Sequence, residues 1–111
     1  YSQDRQTPIG AQFIGASLTT YSNIHPSFRI FEIDVDTAIP ITYHQYRLNL
    51  TKYNALGKVD RVLWDEAYEA RSEYNIPDIT PASMHQLRLK IKDDPVIAMK
   101  VLNNYNTDTT S

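Results

Sequence analysis

The 111-residue sequence contains no cysteine, so neither a disulfide framework nor a thiolate metal site can form within it. It has three glycines and no G-x-G-x-x-G or P-loop pattern, which excludes the common glycine-rich phosphate cradles. No apolar run approaches the roughly 20 residues that a membrane-crossing helix needs, and no signal-peptide pattern opens the chain. Charge of one sign is also missing. Eleven Lys and Arg stand against thirteen Asp and Glu, a net charge of −2, which offers no broad basic field to nucleic acid or anionic lipid. Of the positive side chains, Arg88, Lys90 and Lys92 cluster, in a pattern that fits a solvated helix end or an anion site. The chain opens on Tyr1 rather than Met, as expected of a processed or truncated product whose targeting segment, if any, lay upstream.

What is present is ordinary for a folded protein: 41% hydrophobic and 22% charged residues, enough for one small domain or a piece of a larger one. The pattern changes near residue 55. Before it, three stretches read as strands. Residues 11–18, AQFIGASL, follow a Pro8–Gly10 turn signal and read as a buried strand. Residues 28–34, FRIFEID, carry apolar side chains on both faces, which predicts an interior strand covered on both sides. In residues 41–51, ITYHQYRLNLT, the alternation sets Tyr46, Leu48 and Leu50 against Gln45, Arg47 and Asn49, predicting a half-buried strand with a wet face.

After residue 55 the spacing favours helices. Val59, Val62, Leu63, Ala67, Ala70 and Tyr74 form a stripe that predicts a helix over 59–74, broken at Pro77. Thr80-Pro81 and Asp94-Pro95 each place a capping side chain before a proline at the first helical position. The polar end, NNYNTDTTS, is expected to fray. These patterns divide the chain into strands over 1–55, a helical subdomain over 56–104 and a tail over 105–111, an α+β or α/β arrangement. Three strands leave two sheet edges bare, so the sheet is expected to be completed by another segment or chain.

Candidate chemistry is sparse. His25, His44 and His85 show no H-x-H or i, i+4 spacing and read as ordinary surface or core histidines rather than a zinc site. Glu32, Asp34 and Asp36 are spaced by two and could hold a hard cation or simply form a solvated strand end. Ser17, Ser22, Ser27 and Ser83 lack the G-x-S-x-G context of a hydrolase nucleophile. Asn49-Leu50-Thr51 is an N-x-T glycosylation sequon. In the polar stretch TTYSNIHP, Tyr21 could donate its hydroxyl to a phosphate oxygen and wall a pocket with its ring, with Asn23 and His25 as further donors. The alternative is a turn held by Asn23 and Pro26 with Tyr21 flat on the surface.

Several elements recur together in a known order: the T-T-Y loop, the strand H-P-S-F-R-I-F, the strand Y-R-L-N-L-T with its sequon, and the aromatic-rich run ending R-S-E-Y-N-I-P. Over roughly residues 11–92 this resembles the carboxyl-terminal part of acid sphingomyelinase-like phosphodiesterases, of the calcineurin-like metallophosphoesterase superfamily. His25 departs from the Asn that commonly precedes the proline, and the family's cysteine-containing end has no counterpart.

The resemblance implies the closing strands of a two-sheet sandwich followed by a C-terminal helical subdomain. It implies an enzyme that splits sphingomyelin into ceramide and phosphocholine with water activated by two divalent metal ions, usually zinc. The ligands, including a G-H-x-H motif upstream of Tyr1, would lie outside this chain, which alone should be inert. The partner implied is the N-terminal catalytic part of the same protein, with a phospholipid or other phosphodiester as substrate and no nucleic acid. Tyr21 falls beside the substrate phosphate, Asn49 carries a glycan, and the setting is the secretory pathway, lysosomal or extracellular. A non-catalytic binding glycoprotein on the same scaffold, or a relative hydrolysing nucleotides or polyphosphate, is the alternative.

Overall fold

The computed structural model describes residues 1–15, 17–20, 24–57 and 63–106. The elements run β1 (Ser27–Ile33), β2 (Pro40–Arg47), α1 (Leu50–Leu56), β3 (Asp65–Glu69), α2 (Ala70–Tyr74), α3 (Pro81–Asp93) and α4 (Pro95–Tyr105). The architecture is mixed α and β: one antiparallel sheet in the order β1-β2-β3, with α2 to α4 on one of its faces.

Local chemistry fixes the boundaries. Asp34 ends β1 by turning its carboxylate back onto the Asp36 and Thr37 N–H groups, each at 2.9 Å, which closes the β1–β2 hairpin. The register then sets Phe28 opposite Tyr46, Ile30 opposite His44 and Glu32 opposite Thr42. Gln45 stands opposite Tyr68, and an irregularity between Gln45 and Tyr46 brings Tyr46 opposite Glu66. β3 passes directly into α2, because the Glu69 carboxylate accepts from Ser72 N–H at 2.8 Å as a helix cap. Asn75 ends α2 in the left-handed conformation, at φ 53°.

Both proline starts appear as the sequence predicts. Thr80 caps α3 with Pro81 following; Asp94 closes α3 and caps α4 with Pro95 following. Asp78 braces the first start by accepting from Thr80 N–H at 3.1 Å, Thr80 Oγ1 at 2.7 Å and Ser83 Oγ at 2.5 Å. The core lies between sheet and helices: Tyr43 and Tyr68 from the strands meet Ala70, Tyr74, Ile76, Ile79, Leu87 and Ile97.

Four sequence expectations are corrected. The described residues of 11–18 form no strand, and Ile14 and Leu18 are exposed, because no strand among the described residues lies alongside to satisfy their backbone. β1 is an edge strand rather than an interior one, with Ile30, Phe31 and Ile33 exposed. The strand predicted over 41–51 stops at Arg47, since Asn49 caps α1; its supposed wet face is the inner one, with Gln45 only 3% exposed. The helix predicted over 59–74 is β3 and α2 from residue 65 onward, because pairing with β2 overrides the helical spacing; residues 58–62 lie outside the described ones.

Candidate functional site

Tyr21 and Asn23 lie outside the described residues, but the base of their loop does not. Ser27 N–H donates to Ser17 O at 3.0 Å, which draws the two ends of the loop together. On the exit side Leu48 N–H donates to Pro26 O at 2.9 Å, and Leu50 N–H donates to His25 Nδ1 at 3.2 Å. His25 is therefore buried at the joint between the loop and α1, with Nδ1 engaged as an acceptor. Ser27 is fully buried, yet its Oγ makes no hydrogen bond among the described residues. An unsatisfied buried hydroxyl of this kind costs about 1–3 kcal/mol.

Beside this base opens a cavity of about 550 Å³ whose lining includes Ser17, Thr19 and Ile24 from the loop segment and Arg29, Tyr43, Tyr68, Tyr74 and Asn104 from the folded body. Three tyrosines form its floor in edge-to-face sequence, with ring centroids 5.9 Å apart for Tyr43–Tyr68 and 5.8 Å for Tyr68–Tyr74. The Tyr43 and Tyr68 hydroxyls lie 3.4 Å apart, and Asn104 Nδ2 donates to the Tyr74 hydroxyl at 2.9 Å. Burial, then the nearby Tyr43, pushes the Tyr68 phenol well above its usual range, and burial likewise raises Tyr74. These phenols stay protonated and serve as hydrogen-bonding walls, not as nucleophiles or bases.

Arg29 supplies positive charge to the cavity. Its guanidinium carbon sits 4.0 Å over the Tyr43 ring and its Nε donates to Gln45 Oε1 at 2.7 Å. Sequence reasoning did not single out this Arg–Tyr assembly. Its parts come from β1, β2, β3, α2 and α4.

The remaining candidates are dispersed. Glu32 pairs with His44 across the sheet, whereas the Asp34 carboxyl is held below its usual range by the Thr37 and Asp36 N–H groups of its turn. Asp36 stays exposed, so the three acidic residues do not converge. His85 Nδ1 is 3.0 Å from the Tyr1 hydroxyl, remote in sequence and structure from His44. Among the described residues no group of three or more His, Cys, Asp or Glu could hold a metal ion. The described residues by themselves therefore do not fit a two-metal centre. Asn49 uses Oδ1 to accept from Lys52 N–H at 3.1 Å, which leaves Nδ2, the atom a glycan would occupy, out of the cap. No helix among the described residues is long and apolar enough to cross a membrane.

Comparison with known proteins gives the arrangement its context. No protein-family model matches the chain. It is 31% identical over 100 residues to sphingomyelin phosphodiesterase A of Dictyostelium discoideum, covering 90% of this chain and 17% of that protein. It is 40% identical over 84 residues to sphingomyelin phosphodiesterase B of the same organism, covering 73% and 13%. To the human sphingomyelin phosphodiesterase it is 30% identical over 91 residues, covering 78% and 14%. The chain thus spans between 13% and 17% of the length of these three relatives.

Proposed function

This chain is an acid sphingomyelinase-like segment, and on that premise we propose that it is one structural part of a longer phosphodiesterase that splits sphingomyelin into ceramide and phosphocholine. The observation that carries this reading is that three proteins named sphingomyelin phosphodiesterase each match it over 73–90% of its length. In this reading β1 to β3 close a calcineurin-like metallophosphoesterase sandwich, the bare edge of β1 meets strands elsewhere in the protein, and α2 to α4 form the helical subdomain behind them. Two divalent ions, zinc by the resemblance, are bound by residues outside these 111.

The part left to this chain is positional. The Ser17–Ser27 hydrogen bond and the His25–Leu50 hydrogen bond hold the ends of the loop that carries Tyr21. By the resemblance, Tyr21 would be the donor to the substrate phosphate, with Asn23 as a further one. Placing Asn49 at a helix cap with Nδ2 out of the cap suits a glycan, and with it the secretory pathway, lysosomal or extracellular.

The test is phosphocholine release by the complete protein, assayed with and without a chelator. The reading expects release that chelation abolishes. Activity indifferent to chelator removes the metal ions, and a complete protein with an intact upstream G-H-x-H that releases no phosphocholine removes the substrate. Replacing Tyr21 by Phe is expected to lower kcat by about 10- to 100-fold while the circular dichroism spectrum is unchanged; an unaltered kcat takes Tyr21 out of the site.

A further inference from the structure

His44 stands in the middle strand, between the buried Tyr43 and Gln45 in sequence, with 29% of its side chain exposed. Its Nε2 is 3.1 Å from Glu32 Oε2 on β1, and its Nδ1 is 2.7 Å from Glu66 Oε1 on β3. One ring therefore joins all three strands through side chains. A neutral imidazole has a single N–H and can donate to one carboxylate, leaving the other facing a ring lone pair. An imidazolium donates to both. The observed geometry is complete when the ring is charged.

The surrounding charges point the same way. Glu69, the register partner of His44, also lies on β3, but its carboxylate is already engaged by Thr42 Oγ1 at 2.8 Å, Arg71 Nε at 2.9 Å and Ser72 N–H at 2.8 Å. Glu32 and Glu66 have no hydrogen-bond donor other than His44 among the described residues. With a neutral ring, three carboxylates from β1 and β3 face one guanidinium from α2; with a charged ring they face two cations.

We propose that Glu32, His44 and Glu66 form a proton-operated clasp across the sheet, tightened in mildly acidic solution and loosened toward neutral and alkaline pH. The hydrogen bonds that the ring donates to Glu66 and then to Glu32 raise the His44 pKa above the ordinary 6.5, in keeping with the geometry. A raised folded-state value means that the clasp contributes fully below pH 6.5 and is lost as pH rises through the folded value. The clasp rests on this cluster alone and stands whether or not the protein hydrolyses sphingomyelin.

Hydrogen exchange on the complete protein tests it, comparing wild type with His44→Gln at about pH 5.5 and about pH 8 after correction for intrinsic exchange. At the lower pH, peptides from β1, β2 and β3 are expected to exchange about two- to fivefold more slowly in wild type than in the variant, the range set by two partly exposed ion pairs. At the higher pH the two should coincide, and α3 should not respond at either. Equal exchange at the lower pH, or a difference of the same size at both, overturns the clasp. A second measurement does not depend on the variant folding: an NMR titration of the His44 ring in wild type, Glu32→Gln and Glu66→Gln. Each carboxylate removed is expected to lower the ring pKa, and a value indifferent to both substitutions overturns the proposal.

Discussion

Ile79, in the connection between α2 and α3, has no exposed surface, whereas Ile14, in the amino-terminal arm, is 78% exposed. The two regions they represent differ little in apolar content but greatly in what surrounds it. Residues 65–106 find partners within reach: β3 pairs with β2, α2 follows without a linker, and α3 and α4 close over Tyr68, Tyr74 and Ile79. Among the described residues of 1–24, the Phe13 ring meets Phe31 and Tyr43 and Tyr1 meets His85 and Arg88, while Ile9, Ile14 and Leu18 stay in water. Apolar composition commits a segment to burial only where a complementary surface exists within reach. For the arm, that surface is not among the described residues of the chain.

The difference can be broken most severely at Ile79. Replacing it by Ala is expected to destabilise the protein by about 2–5 kcal/mol in urea unfolding, since the site has no room to collapse without moving Tyr74 or Leu87. Next comes Asp78, which supports the start of α3 with three hydrogen bonds. Asp78→Ala should cost about 1–2 kcal/mol and show as faster hydrogen exchange in the first turn of α3.

Acid should loosen the same region without any substitution. Burial of Glu69 works to raise its pKa, but hydrogen bonds from Ser72 N–H, Arg71 and Thr42 prevail and hold it at about 2. Asp78 is depressed as well, by Ser83 and then Thr80. Groups with depressed values stabilise the fold above the ordinary carboxylate range, and that contribution is lost as pH falls through the folded value. The junction of β3 and α2 is therefore expected to soften between about pH 4.5 and about pH 2, and circular dichroism followed through an acid titration checks it. A Glu69→Gln variant should lack that part of the transition.

The smallest effects sharpen the comparison. Ile14→Ala should change the stability of the chain taken alone by less than about 0.5 kcal/mol. In the complete protein the same change should cost several times more if the arm docks onto another segment, so the paired measurement locates the missing surface. Ser27→Ala, at the boundary between arm and body, is expected to be neutral or to stabilise by up to about 1 kcal/mol, because it deletes a hydroxyl that has no partner among the described residues. A loss of stability there in the complete protein would reveal that the hydroxyl is satisfied by another part of it.

How much of this was legible in the sequence follows from how local each signal is. Thr80-Pro81 and Asp94-Pro95 were readable because a cap and a proline act within one turn, and the FRIFEID strand because its composition is unambiguous. The strand over 65–69 was not, since Asp65, Glu66 and Glu69 suit a helix surface and only register with β2 makes them extended. Gln45 was assigned to water because its amide is polar, yet the bond from Arg29 lets it lie inside. The Arg29–Tyr43–Tyr68–Tyr74 cavity was invisible for the same reason: five elements must assemble before its residues are neighbours. The family resemblance singled out Tyr21 and Asn49 and the reading of the loop added Asn23 and His25; of these His25 and Asn49 stand at the two sides of one joint, the entry to α1.

β1 carries one last implication, for handling. Its outer backbone groups are unpaired within the sheet, and Ile30, Phe31 and Ile33 flank them in the open. A strand so presented is a template for like strands. Produced by itself at high concentration, the polypeptide should stack edge to edge into precipitate. A lysine placed at position 31, or co-production with the remainder of the protein, is the practical remedy.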